Sequence, residues 1–92
     1  MSYMSKIEIT PMTPEEAQKL GISTWGRWEC EPSVFDWSYS SRETCFVFEG
    51  DVIVTADGED YRITPNMLVV FPKGLNCTWN VKKTIKKAYK FG

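Results

Sequence analysis

The chain has 92 residues, of which 42% are hydrophobic and 14% aromatic, and its net charge is −1 from eleven basic and twelve acidic side chains. This near balance gives no electrostatic reason to expect a nucleic-acid or anionic-membrane partner. The length predicts one domain spanning residues 1–92, with residues 1–5 as a loose, flexible start.

Histidine is absent, and the three cysteines, Cys30, Cys45 and Cys77, are widely spaced with no C-x-x-C motif. The missing histidine removes the commonest metal ligand and the commonest general base. No segment is typical of a signal peptide or of a bilayer-spanning helix. With free cysteines, these features favour a soluble protein of a reducing compartment, and we expect the cytoplasm.

One short helix is predicted near the N-terminus, from Thr13 to Leu20. Thr13 is suited to the N-cap, Pro14 to the first turn, and Glu16 completes a capping box. Gly21 follows as a C-terminal stop signal.

Alternating or apolar segments separated by turn residues predict strands over most of the remaining chain. These segments are 6–10, 24–31, 34–39, 44–49, 51–56, 60–63, 67–71, 76–81 and 84–89. Gly50 is expected to break one run into two strands, and Asp57-Gly58 is a two-residue hairpin signal. Short strands at even spacing favour an all-β fold, either a closed antiparallel β-barrel or a two-sheet jelly roll.

Two stretches of the chain carry a family resemblance. Glu43, six intervening residues and Gly50 reproduce the second half of the first cupin motif, and Pro72-x-Gly74 reproduces the core of the second. The fuller phrases WGRWECEPSVFDWSYSSRETCFVFEG and FPKGLNCTWNV resemble small single-domain cupins grouped with (S)-ureidoglycine aminohydrolase and ethanolamine-utilisation proteins. The resemblance implies an RmlC-like jelly-roll barrel with a pocket inside one end, and a homodimer.

The resemblance also implies a metal site, from which this chain departs. In metal-binding cupins two histidines precede the glutamate and a third lies in the second motif. Here those positions fall on Asp36 and Ser38 (or Trp37 and Tyr39) and on Cys77, while only Glu43 is retained. Glu43, Cys77 and Asp36 are weak candidates, so the metal site is degenerate. We expect no cofactor, and a divalent metal is possible but disfavoured without histidine.

A ligand pocket is nevertheless predicted from the aromatic residues near the two motifs. It would be formed by Trp37, Tyr39, Glu43, Cys77 and Trp79. An aromatic cavity with one or two polar groups is typical of small-molecule sites. The same side chains are equally compatible with a core packed solid. If Glu43 lines this cavity, Glu43→Gln is expected to leave the fold intact or stabilise it, since a buried carboxylate costs free energy unless it is satisfied.

Two functions remain open at this point. One is a metal-free barrel that binds an unknown small molecule or acts as a regulatory unit. The other is an enzyme, metal-dependent or assisted by Glu43, that converts a small polar metabolite as ureidoglycine aminohydrolase does. Two residues are catalytic candidates. Glu43 would act as general base or metal ligand, and Cys77 as nucleophile or second metal ligand.

Two further expectations concern the surface. The cluster Lys82, Lys83, Lys86 and Lys87 is predicted to be a solvated strand edge, where lysines discourage edge-to-edge pairing. The strand at residues 6–10 has no obvious partner within the barrel, so it is predicted to pair with a second copy in a homodimer.

Overall fold

The computed structural model describes residues 7–92, which form seven strands, one short α-helix and one 3₁₀ turn. The elements are β1 (Glu8–Pro11), α1 (Pro14–Lys19), the 3₁₀ turn (Ile22–Thr24), β2 (Gly26–Cys30), β3 (Ser33–Ser38), β4 (Glu43–Ala56), β5 (Glu59–Ile63), β6 (Met67–Phe71) and β7 (Asn76–Phe91). The predicted loose start at residues 1–5, and the first residue of the predicted 6–10 strand, lie outside the described residues. No helix within residues 7–92 has the length and apolar character needed to cross a bilayer.

The strands form one antiparallel seven-stranded sheet in the order β1-β6-β4-β7-β2, with β3 also paired to β7 and β5 to β4. The predicted antiparallel all-β class is therefore confirmed. The sheet curves enough to bring the end of β3 close to β6. Tyr39, just after β3, stacks on Phe71 of β6 with ring centroids 5.0 Å apart. The pairings do not close it into a barrel, so closure remains a prediction.

The N-terminal strand has a partner within the same chain, contrary to expectation. β1 pairs with β6, with Glu8 opposite Val70 and Pro11 opposite Met67. The edge of β6 was free to accept it, which strand patterning along the sequence does not reveal. The argument for a dimer from an unpaired N-terminal strand is therefore wrong, and the dimer itself stays a prediction.

Gly50 does not end a strand. β4 runs continuously for 14 residues, and its register against β7 shifts between Val47 and Val52. Gly50 has φ = 121°, and a Cβ there would lie 2.7 Å from the Cα of Ile85. The glycine thus permits a bulge and a close approach of two backbones, which bends the strand without interrupting it. β7 is likewise one strand of 16 residues where two were predicted.

The local signals are confirmed. Thr13 Oγ1 accepts a hydrogen bond from the Glu16 amide at 3.1 Å, and the Thr13 amide donates to Glu16 Oε1 at 2.9 Å, which makes a complete capping box. Gly21 adopts φ = 82° just beyond the helix. The helix has six residues, so it is shorter than the predicted segment from Thr13 to Leu20. Asp57 and Gly58 form the turn between β4 and β5, both with positive φ.

Both faces of β4 are buried in its first part, around Cys45, Phe46 and Val47. On the inner face, Cys45 and Val47 join the main core cluster of the sheet. On the outer face, Phe46 packs with Ala17 of α1 and with the neighbouring Ile22 and Ala88. Burial raises the pKa of Cys45 to about 12, so this thiol is an inert core group. The helix therefore covers the outer face, and the concave inner face is left to form a site.

Candidate functional site

A cavity of about 250 Å³ lies on the inner face of the sheet. Its walls are mainly aromatic, and its lining residues are Trp28, Phe35, Trp37, Tyr39, Glu43, Trp79, Lys87, Tyr89 and Phe91. Four of the five residues proposed for a pocket are among them. Cys77, the fifth, is not part of the lining.

Glu43 is buried in this cavity and is bonded at both carboxylate oxygens. Lys87 Nζ donates to Oε2 at 2.6 Å, and the Tyr39 hydroxyl donates to Oε1 at 2.7 Å. The side chains of Glu43 and Lys87 are only 3% and 5% exposed. Lys87 lies opposite Val47 in the register, so its long side chain extends along the sheet to reach Glu43. The result is a buried ion pair with a third, neutral hydrogen-bond partner.

The Lys87 ammonium is also surrounded by aromatic rings. Its Nζ atom lies 4.7 Å from the ring centroid of Trp79, 4.8 Å from that of Trp28 and 6.0 Å from that of Phe71. The negative faces of aromatic rings attract a cation, most strongly where water is excluded. We call Trp28, Phe71 and Trp79 the aromatic cage. The cage and the carboxylate of Glu43 together hold one positive charge inside the protein.

The expectation that Lys87 belongs to a solvated lysine edge is wrong. Lys82, Lys83 and Lys86 are exposed, whereas Lys87 is buried. The alternation along β7 indicates that Lys87 is buried. Every second residue on either side of the exposed Lys83 is buried, namely Cys77, Trp79, Val81 and Ile85. Lys87 is in phase with these positions and therefore points inward.

Two other lining residues have polar groups in apolar surroundings. Burial raises the pKa of the Tyr39 phenol, and the charge of Glu43 and the hydrogen bond to it act in the same direction. Tyr39 is therefore held as a neutral donor. The indole Nε1 of Trp79 is fully buried and has no hydrogen-bond partner within residues 7–92. Buried donors without partners are rare in folded proteins.

The remaining candidates do not converge on Glu43. Cys77 is buried and donates a weak hydrogen bond to the Trp37 carbonyl, with Sγ and O 3.6 Å apart. Burial raises its pKa, and the nearby Trp79 indole only partly opposes that rise. Asp36 is exposed and accepts a hydrogen bond from Thr78 at 2.8 Å. All three cysteines are unpaired in the structure.

These residues do not fit a divalent metal. Residues 7–92 contain no group of three or more histidine, cysteine or acidic side chains placed to hold one. In addition, the Lys87 ammonium already contacts Glu43 at 2.6 Å, where a metal bound by that carboxylate would meet a like charge.

The curved antiparallel sheet and the two motifs define a cupin. The chain belongs to the family of the EutQ-like cupin domain, which it matches over residues 17–89. The resemblance to ethanolamine-utilisation cupins is thus confirmed at the level of the family, while the narrower resemblance to ureidoglycine aminohydrolase stays a prediction.

Solved structures show the same fold. A DUF861 family protein from Thermotoga maritima is 42% identical, with a TM-score of 0.90 over 95% of this chain and 100% of that one. The EutQ protein of Clostridium difficile is 24% identical, with a TM-score of 0.67 over 72% of this chain and 52% of that one. An RmlC-like cupin from Shewanella frigidimarina is 13% identical, with a TM-score of 0.57 over 71% and 62% of the two chains. No curated protein matches the sequence.

Proposed function

We propose that this cupin binds a small organic molecule in its aromatic cavity and that it does so without a metal ion. The observation that carries the proposal is an aromatic cavity of about 250 Å³ whose lining includes the buried Glu43–Lys87 ion pair. Apolar walls with a few convergent polar groups are typical of small-molecule sites. A core packed solid with the same side chains would leave no such cavity.

The metal-free part of the proposal is supported by Lys87. A buried carboxylate such as that of Glu43 is stabilised by a nearby cation, whether a metal ion or an ammonium. Here the cation is the ammonium of Lys87, which belongs to the chain itself. It needs no ligands beyond one carboxylate and the aromatic cage. Loading of a metal is therefore not required to balance the charge of Glu43.

The enzyme alternative has less support. Both oxygens of Glu43 already accept hydrogen bonds, which reduces its capacity to take a proton from a substrate. Cys77 lies outside the cavity lining, and burial raises its pKa, so it is poorly suited to act as a nucleophile.

Other parts of the proposal concern assembly and location. We propose that the sheet closes into a jelly-roll barrel, which the likeness to an RmlC-like cupin supports. We also include a homodimer, supported by the small core that 92 residues can provide. The cytoplasm is included because the three cysteines are free.

The test is a screen of small metabolites by thermal shift and by Trp fluorescence, with a chelator present throughout. Trp37→Ala is the informative variant, because Trp37 lines the cavity yet is half exposed, so its removal spares the core. Val34→Ala is the matched control, since Val34 is an exposed residue of the same strand outside the lining. We expect a hit that binds in chelator, weakens in Trp37→Ala and is unchanged in Val34→Ala. Binding that needs added metal, or equal binding by all variants, contradicts the proposal.

A further inference from the structure

We infer that the ligand of this cavity is an uncharged molecule that presents a hydrogen-bond acceptor, such as a carboxamide or ketone, and not a carboxylate or an amine. The inference rests on the proposed function and specifies the chemical class that the site selects. It follows from the charge balance of the cavity, its unused hydrogen-bonding groups and its volume.

The charge of the cavity is already balanced. Among the lining residues, Glu43 and Lys87 are the acidic and basic side chains, and they neutralise one another at 2.6 Å. Tyr39 remains a neutral phenol because it is buried beside Glu43. A ligand carboxylate or ammonium would therefore enter an apolar site as a charge without a counter-ion, which is costly. A neutral ligand avoids this cost.

The unused polar groups are mainly donors. Trp79 Nε1 is not among them, because it is buried beside the Cys77 thiol, which lies outside the cavity lining. An ammonium has three N–H groups, and Lys87 makes one described hydrogen bond, to Glu43. On the acceptor side, Glu43 is engaged at both oxygens. The lining thus favours a ligand that accepts hydrogen bonds.

The walls and volume limit the rest of the molecule. Phe35 stacks on Trp79 at 6.0 Å, and Trp28 meets both rings edge-on, so the walls are rigid and apolar. The cavity volume of about 250 Å³ restricts the ligand to a small molecule. A compact neutral molecule with a flat or apolar body matches this space.

Three probes that share one ring test the inference: benzamide, benzoate and benzylammonium. Each is titrated into the ¹⁵N-labelled protein in chelator, and the indole N–H resonances report binding. For the unaltered protein we expect benzamide to bind about tenfold more tightly than either charged probe, since neither charge finds a counter-ion.

Charge variants should change the order of the probes. Glu43→Gln leaves the positive charge of Lys87, so benzoate should become the tightest probe. Lys87→Met leaves the negative charge of Glu43, so benzylammonium should become the tightest.

Each outcome decides something different. Tightest binding of benzoate or benzylammonium by the unaltered protein overturns the inference but leaves the proposed function standing. If no probe moves a lining resonance at millimolar concentration, the inference fails, and the metabolite screen decides the proposed function separately. The order of the three probes on the unaltered protein remains informative even if the charge variants do not fold.

Discussion

Strand β4 contributes an acidic residue to three described ion pairs, and the two shorter ones differ in their surroundings. Glu43 meets Lys87 at 2.6 Å with side chains 3% and 5% exposed, while Asp51 meets Arg62 at 2.9 Å with side chains 18% and 67% exposed. The exposed pair is a forked contact, since Arg62 donates from both Nε and Nη2. By hydrogen-bond geometry alone, it is the better pair.

The surroundings reverse that ranking. Water and salt screen the exposed pair, so it contributes little to the free energy of unfolding. The buried pair has no such screening, and loss of either partner leaves a charge in apolar surroundings. Burial, more than the number of hydrogen bonds, therefore decides which of the two pairs is tied to both stability and function.

The largest effect is expected from Glu43→Gln. The side chain keeps its size and can still form hydrogen bonds, but Lys87 loses its counter-ion, so the free energy of unfolding should fall by about 3–5 kcal/mol. This reverses the expectation from the sequence, which was that Glu43→Gln leaves the fold intact or stabilises it. Urea denaturation measures the change. Asp51→Asn is the matched control, and an equally small loss in both variants would contradict the comparison.

A second change should remove most of that loss. In the double variant Glu43→Gln with Lys87→Met, no buried charge remains and the methionine fills a similar volume. We expect the double variant to be more stable than the sum of the two single losses by about 2 kcal/mol or more. A complete double-mutant cycle by urea denaturation gives this coupling. Additive losses would show that the two side chains act independently.

Lys87→Ala should create a site for a free cation. The variant keeps the aromatic cage and Glu43, so a small alkylammonium such as propylammonium should bind in place of the lysine side chain. Binding to the folded state raises the melting temperature with concentration, by mass action. Differential scanning fluorimetry detects the rise. The unaltered protein and sodium chloride at equal ionic strength are the controls, and rises that match these controls would argue against the cage.

The smallest effect is expected from the exposed pair. The hydrogen bond from Arg62 lowers the pKa of Asp51 below its usual value of 3.8. A depressed folded-state pKa gives a contribution that is present above the unfolded value and is lost as the pH falls through the folded one. Asp51→Asn should therefore shift the melting temperature slightly at neutral pH and not at all in strong acid. High salt should also abolish the difference, and a shift that persists in salt would contradict this reading.

The features that could be predicted from the sequence are those encoded by neighbouring residues. Thr13 and Glu16 form their capping box within one helical turn, and Asp57-Gly58 forms a turn whose φ angles depend on those two residues. Glu43 could be placed inside the fold because the spacing to Gly50 belongs to a family motif. In these cases the physical determinant is local, or the family has already fixed it.

The features that escaped prediction depend on contacts between distant residues. Gly50 is part of a bulge only because Ile85 approaches its backbone, and β1 is paired only because β6 offers an edge. Lys87 resembles its exposed neighbours in composition, and its burial depends on finding Glu43 and an aromatic cage on other strands. The alternation along β7 indicates that Lys87 faces inward. It does not identify Glu43 as the partner of Lys87.

The position of β7 has a consequence for how the chain folds during synthesis. β7 pairs with β2, β3 and β4, yet it follows all of them along the chain. On the ribosome, β4 can therefore pair only with β5 and β6 until residues 76–91 have emerged. Until then Glu43 also lacks its counter-ion. Assembly of the sheet is expected to be a late step between distant residues, which makes it slow and leaves strand edges exposed to other chains in the meantime.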